Sequence, residues 1–276
     1  MTTANLFDVA GHAVIVTGGA SGIGLGYTEA LASRGARVTM LDVNAERIAV
    51  ETRRLRDQGM DVAGRVVDVT DHKALDSTFA EIASGYGGLD VVFANAGINS
   101  GTGFVGAWVG SNRPRVPEGA LEEYRDERWN RVIAINLDGV FATCRAAARH
   151  MRPRKRGRII ITTSAASSRI EPAIGAAYMA SKAGAAHFMK TIALELAAYN
   201  ITVNAIAPGL FVTNIGGGHA KSKEVQEAFS KVVPMHRCGF PEDMHGLALF
   251  LASSASSYVT GQEIIIDGGL VLGHAD

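Results

Sequence analysis

Short runs rich in β-branched residues recur along the chain at 12–17 (HAVIVT), 36–42 (ARVTMLD), 61–68 (DVAGRVVD), 89–95 (LDVVFAN), 157–163 (GRIIITT), 201–208 (ITVNAIAP) and 262–267 (QEIIID). Stretches of helical length and periodicity separate them. Parallel strands need long crossover connections, usually helices, whereas antiparallel neighbours need only tight turns. The alternation therefore predicts the α/β class: a doubly wound parallel sheet of about seven strands, a Rossmann fold with helices on both faces. Most of the strand runs are apolar on both alternating sets of positions, as full burial requires. The rhythm extends almost from end to end with no linker or repeat, so residues 1–276 are expected to form one domain. With 47% hydrophobic residues, 20% charged and 32 glycines, the chain has enough apolar material for such a core.

The 27 basic and 27 acidic residues cancel. A balanced charge supplies no general attraction to nucleic acid or to an acidic membrane surface. The basic run 152–158 (RPRKRGR) is expected to join a helix C-terminus to the fifth strand, at the sheet end away from any ligand. Cys144 and Cys238 lie far apart, and the eight histidines show no paired ligand spacing, so neither a disulfide framework nor a metal site is expected. The start, MTTANLFDVAG, lacks a basic segment followed by an apolar one, and no apolar run approaches the length of a membrane span. A soluble, cytoplasmic protein is the expectation.

Two connections break the rhythm. Residues 98–125 form a long segment carrying Phe104, Trp108, Arg113 and Arg115, and residues 210–235 include the run Gly216, Gly217 and Gly218. Both follow the C-terminal ends of strands, where open α/β sheets bind ligands. Either a lid with a specificity role or a subunit contact would account for the first. Its arginines are expected to be solvated.

TGGASGIG (17–24) follows the first strand and opens a helix. Glycines there let the backbone approach a phosphate, whose charge the free N–H groups at the helix start stabilise. A glycine trio alone also fits a plain turn. Asp42, ending the second strand, adds context: a carboxylate there can accept both hydroxyls of an adenosine ribose and would repel a 2′-phosphate. No Arg or Lys stands in the glycine loop or at Val43 and Asn44, which favours NAD over NADP. The competing role for Asp42, and for Asp68 at the end of strand three, is to cap the next helix.

Tyr178 and Lys182, four apart in a segment of helix formers, share one helix face. A tyrosine with a pKa of about 10 is a poor acid or base at neutral pH unless a nearby cation favours its phenolate. Lys182 would supply that cation.

Together, TGGASGIG, NAG at 95–97, Asn136 in INLDGVF, a serine after strand five, Tyr178-x-x-x-Lys182, APG at 207–209 and SSYVTGQEIIIDGG resemble the classical short-chain dehydrogenase/reductase family, in order and near its spacing. The resemblance implies that Tyr178 is the general acid/base, that Lys182 holds the nicotinamide ribose and lowers the tyrosine pKa, and that Asn136 holds a water leading from Lys182 to solvent. It also implies that Gly18, Ser21, Gly22, Ile23 and Gly24 surround the pyrophosphate and Asp42 the adenosine ribose. Asp68 and Val69 would meet the adenine, and Asn95, Ala96 and Gly97 the ribose region. Pro208, Gly209 and Thr213 match PG-x-x-x-T, whose threonine reaches the carboxamide. Asn136 could equally satisfy a kink in the buried backbone, and Thr213 an ordinary turn. Family members are usually homotetramers.

One departure concerns the serine. Ser164 lies one residue further from Tyr178 than the family's usual spacing, at which this chain has Ala165. Strand register still selects Ser164, leaving Ser167 and Ser168 as turn formers. The expected activity is NAD-dependent interconversion of a small-molecule secondary alcohol and a ketone. Alternatives are a non-catalytic NAD-sensing Rossmann protein, or an epimerase or dehydratase using bound NAD. The last normally needs a larger C-terminal domain.

Overall fold

The computed structural model describes residues 6–106, 113–213 and 221–273. Seven parallel strands form one sheet in the order β3-β2-β1-β4-β5-β6-β7: β1 (Ala13–Thr17), β2 (Arg37–Asp42), β3 (Val62–Val66), β4 (Val91–Ala94), β5 (Gly157–Thr162), β6 (Ile201–Pro208) and β7 (Glu263–Ile266). Each strand matches one of the expected runs. The order reverses between β1 and β4, which opens a crevice beyond their C-terminal ends, the usual ligand position in such sheets.

Strand pleat divides the core in two. Val14, Val16, Val91, Phe93 and Ile160 point to one face and pack beneath α1 (Gly22–Ala32), α2 (Ala45–Asp57) and α8 (His245–Ala252). Ile15, Val92, Ala94, Ile159 and Ile161 point the other way, against α3 (His72–Tyr86), α5 (Gly139–Met151) and α6 (Ala176–Ala197). The inner strands are apolar on both sets of positions because both faces are covered. Full burial fails at the edges: Val66 of β3 is 60% exposed and no residue of β7 is fully buried, since an edge strand has a neighbour on one side only. Two further short helices complete the set: α4 (Asp126–Ile133) directly follows the connection 98–125, and α7 (Lys223–Ser230) lies within 210–235.

Helix starts settle the capping alternatives. Asn44, not Asp42, caps α2 by accepting the Arg47 N–H at 2.9 Å, and Asp71, not Asp68, caps α3. Asp68 instead closes a local turn, accepting from the N–H and hydroxyl of Thr70, both at 2.8 Å.

The basic run lies at the N-terminal end of the sheet and is spent on protein partners. Arg154 and Arg156 reach one oxygen of Asp90 at 3.2 and 2.7 Å, and the other oxygen accepts the Ala13 N–H at 3.0 Å. Burial pushes the Asp90 carboxyl up, but the Ala13 N–H and the two guanidiniums outweigh it and hold the carboxyl below its ordinary value of 3.8. A carboxyl depressed in the folded state stabilises the protein above its unfolded pKa, and that stability disappears as pH falls through the folded pKa. Asp90→Asn is accordingly expected to cost about 2 kcal/mol in urea unfolding at neutral pH. The gap to wild type should close on acidification below the ordinary carboxyl range; a gap that does not change with pH would show that the ion pairs contribute nothing.

Among the described residues no helix is long and apolar enough to cross a membrane, and no cluster of metal-ligating side chains occurs. Cys144 and Cys238 are buried, free thiols.

Candidate active site

The residues singled out for catalysis and cofactor contact, Asn136 apart, all border one cavity of about 820 Å³ over the crevice between β1 and β4. That volume falls within the roughly 300–1,000 Å³ range of small-molecule sites.

The glycine loop forms one wall. A Cβ on Gly24 would stand 2.1 Å from the Gly18 carbonyl oxygen and 2.5 Å from Asn95 Nδ2, so the first turn of α1 lies directly against the loop. Gly18 and Gly22 have φ of +63° and +54°, left-handed values that favour glycine. Ser21, the N-cap of α1, makes no side-chain cap bond, leaving its hydroxyl and the first N–H groups of the helix beside the cavity. Thr213 is buried against Gly22, where an added Cβ would meet it at 3.4 Å.

Asn95 borders the cavity and also holds the strands beneath it. Its amide donates to the Thr17 carbonyl at 3.0 Å and accepts from the Thr162 hydroxyl at 3.1 Å, tying β1, β4 and β5 together. Thr17 adds to the tie, its hydroxyl oxygen accepting the N–H groups of Asn95 and Ala96.

Lys182 is 3% exposed and donates to the Thr162 carbonyl at 2.8 Å. An ammonium carries three donors, and the other two have no protein partner among the described residues. Burial pulls its pKa down to about 8. A buried cation with unspent donors on a cavity wall calls for a polar ligand, and the hydroxyls of a ribose fit it.

Four residues before Lys182, on the same face, stands Tyr178. Burial pushes its phenol up, and a hydrogen bond from Ser164 opposes that shift. The Ser164 oxygen already accepts the Ala166 N–H at 3.1 Å, which leaves its hydroxyl hydrogen for the tyrosine oxygen. The other serines are engaged elsewhere: Ser167 bonds Glu263 at 2.7 Å and Ser168 the Ala165 carbonyl at 3.4 Å. Ala165 lies inside a short 3₁₀ turn, Ala165–Ser167, which takes up the extra residue of spacing after Ser164 has left the strand.

Asn136 lies under the cavity, fully buried, within a π-helical segment (Ala134–Asp138) between α4 and α5. Its amide accepts the Ile98 N–H at 2.8 Å, donates to the Ile98 carbonyl at 3.0 Å and meets Ser181 at 3.3 Å. A π segment widens the turn and frees backbone groups, and this amide braces the kink against the extension of β4 and against α6. A Cβ on Gly97 would sit 3.3 Å from Asn136 Oδ1 and 3.5 Å from Lys182 Nζ, so that glycine is where the three come together.

At the β2 end of the cavity, Asp42 accepts from Ala20 N and Asn44 N, at 3.3 and 3.1 Å, and borders the cavity with Asp68 and Val69. Arg47 also borders it, entering from the first turn of α2. Arg47 lies beyond the glycine loop and the two positions after Asp42, where a cation against NAD would be expected from sequence. Its position three residues beyond the Asn44 cap was the available signal.

The long connection 98–125 contributes only Ile98 and Asn99 to the cavity among its described residues. The rest packs on the segment before Tyr178: Thr102 pairs with Ile174, and Gly103 N and Val105 N donate to the carbonyls of Ala173 and Pro172. Of the two arginines expected to be solvated, Arg115 is exposed, with its guanidinium over the Phe104 ring at 5.3 Å, whereas Arg113 is partly buried and pairs with Glu171 at 2.9 Å. Trp108 and the run Gly216, Gly217 and Gly218 fall outside the described residues.

A family model described as enoyl-(acyl carrier protein) reductase matches residues 18–271. Gluconate 5-dehydrogenase of Gluconobacter oxydans is 33% identical over 99% of both chains. The chain belongs to the short-chain dehydrogenase/reductase family. Within it, 3beta-hydroxysteroid dehydrogenase 1 of Eggerthella lenta is 36% identical over 96% of this chain and 95% of its own. The crystal structure of a gluconate 5-dehydrogenase from Burkholderia cenocepacia, in complex with NADP and tartrate, superposes with a TM-score of 0.85 at 32% identity, over 99% of this chain and all of the other.

Proposed function

We propose that this short-chain dehydrogenase/reductase uses NAD(H) to interconvert a secondary alcohol and a ketone. The observation that carries the reading is Tyr178 on one cavity wall with Ser164, one helical turn from a buried Lys182 with unspent donors. When bound, the nicotinamide cofactor supplies the hydride acceptor or donor. In alcohol oxidation Tyr178 Oη takes the proton of the substrate hydroxyl, and in ketone reduction it returns a proton to the carbonyl oxygen. The Ser164 hydroxyl orients Tyr178 Oη and stabilises its phenolate. Lys182 Nζ, 5.7 Å from the centre of the tyrosine ring, adds positive potential that favours the same form.

Gluconate and a 3β-hydroxysteroid, named in the relatives, are both secondary alcohols, which supports the reaction class and leaves the substrate skeleton open. The preference for NAD rests on the Asp42 carboxylate, fixed by two backbone N–H groups where a 2′-phosphate would have to sit. Arg47 is the residue opposing that preference. A homotetramer in the cytoplasm is the working form we adopt, and the apolar surface that Phe141 on α5 and Leu194 on α6 expose is available for contact between subunits.

The test is purified protein with NAD or NADP against a panel of secondary alcohols and polyols, followed by absorbance of the reduced cofactor. NAD should support turnover with a kcat/KM at least about tenfold above that with NADP, the worth of one repulsive contact of ~1.4 kcal/mol. Asp42→Ala should narrow that ratio. A clear NADP preference in the wild type would sink the argument from Asp42, and no turnover with either cofactor would leave a sensor of NAD as the better reading.

A further inference from the structure

We infer that Arg128, on α4 and outside the cavity described above, is a positioning residue that sets where Tyr178 stands. The guanidinium donates to three backbone carbonyls: Ser100 O through Nε, Thr102 O through Nη2, and Glu118 O at 2.8 Å through Nη1. It also lies over the Tyr124 ring at 4.4 Å. A planar fork spreads its donors over three nitrogens in fixed directions and so spans these three carbonyls, whereas an ammonium has its three donors on one nitrogen and does not reach across the same spread. Arg128 thus gathers both ends of the long connection, 100–102 and 118, into one node.

That node abuts the N-cap of α6. Gly175 is the cap residue, and a Cβ on it would stand 2.5 Å from Ser100 Oγ, 2.8 Å from Arg128 Nη2 and 2.9 Å from Tyr124 Oη. The buried Ser100 hydroxyl donates to the Gly175 carbonyl at 3.0 Å, and the same carbonyl accepts the Tyr178 N–H at 3.1 Å. Gly175 N returns a bond to Gly101 O at 3.3 Å. Tyr178 therefore sits three residues beyond a cap that lacks a side-chain bond of its own and is held from outside. The chain of contacts runs from Arg128 to Ser100, to the Gly175 carbonyl and to the Tyr178 backbone. A shift of the cap moves Tyr178 Oη relative to Ser164, which belongs to a different element and stays in place.

This inference rests on the oxidoreductase reading, and the experiment separates the two. Arg128→Met should lower kcat by about 30–100-fold, the effect of misplacing a reacting group by ~1 Å, while cofactor Kd by titration calorimetry stays at the wild-type value. The pH profile of alcohol oxidation should move to higher pH, because loosening the Ser164 bond removes the contact that lowers the Tyr178 pKa. Amide hydrogen exchange at residues 175–180 in the cofactor-free protein should quicken. Arg128→Lys should recover only part of kcat, and Arg125→Met, an exposed neighbour whose one ion pair among the described residues is with Glu127, should match wild type. Gly175→Ala, which presses on the node from the other side, should reproduce the same signature if Arg128→Met fails to fold. Wild-type kcat and pH profile in either folded variant would overturn the inference, as would kcat and cofactor affinity falling together with the pH profile unchanged. A wild type without turnover would overturn the oxidoreductase reading and this inference with it; active wild type with indifferent Arg128 variants would remove the inference alone.

Discussion

Tyr178→Phe is expected to lower kcat by about 10³-fold, within the range for losing a positioned general acid/base, and to leave cofactor Kd unchanged. The ring is half-buried and its hydroxyl bonds only Ser164 among the described residues, so its loss leaves the fold and the glycine loop intact. Ser164→Ala is the companion. It removes a hydroxyl that opposes the effect of burial on the phenol, so the pH at which alcohol oxidation reaches half its maximum should rise. Stopped-flow absorbance of the reduced cofactor across a pH series measures both. Full activity in Ser164→Ala would show that strand register had selected the wrong hydroxyl, and full activity in Tyr178→Phe would remove the proposed mechanism.

Gly24→Ala should act on the other half of the site. Its Cβ would come within 2.1 Å of the Gly18 carbonyl oxygen, which belongs to the backbone and has no flexible end to yield. Either α1 retreats or the glycine loop does, and both withdraw N–H groups from the phosphate position. Cofactor Kd is expected to rise by about two orders of magnitude, or ~2.7 kcal/mol, with a loss of stability of about 1–3 kcal/mol from overpacking. Gly246→Ala is the control, since an added Cβ there meets nothing within 4 Å and a helix favours alanine. Calorimetric titration with the dinucleotide alone distinguishes them. Wild-type affinity in Gly24→Ala would show that the loop does not need this close approach.

The alternation of strand and helix was legible because burial on both faces of a sheet leaves a local imprint, a run such as Ile159, Ile160 and Ile161 whose members face opposite layers. The edge strands were less so. A residue such as Val66 is apolar in sequence whatever covers it, and exposure depends on neighbours the strand itself does not encode. Asp42 was legible as a site residue from its position at the end of β2, whereas its two oxygens reach Ala20 and Asn44 through a turn that only the folded chain forms. Arg47 and Thr162 escaped attention for the same reason: each acts through where its element sends it, one from the first turn of α2 and the other through a backbone carbonyl that has no sequence signature.

By itself the sequence determined the alternation of strand and helix and the helix face that Tyr178 shares with Lys182, which follow from periodicities of two and of about 3.6 residues, while the order of its motifs, the glycine turn among them, carried the resemblance to the family. Tertiary structure alone decided which carbonyl Lys182 bonds, how far burial pulls its pKa down, and what the long connection packs against. Those outcomes depend on contacts between residues far apart in the chain. Arg128 reaches Ser100 and Thr102 across the connection, and Ser100 reaches Gly175 across some 75 residues. No local pattern carries such pairings, since the free energy that selects them belongs to the packed whole rather than to any segment of it.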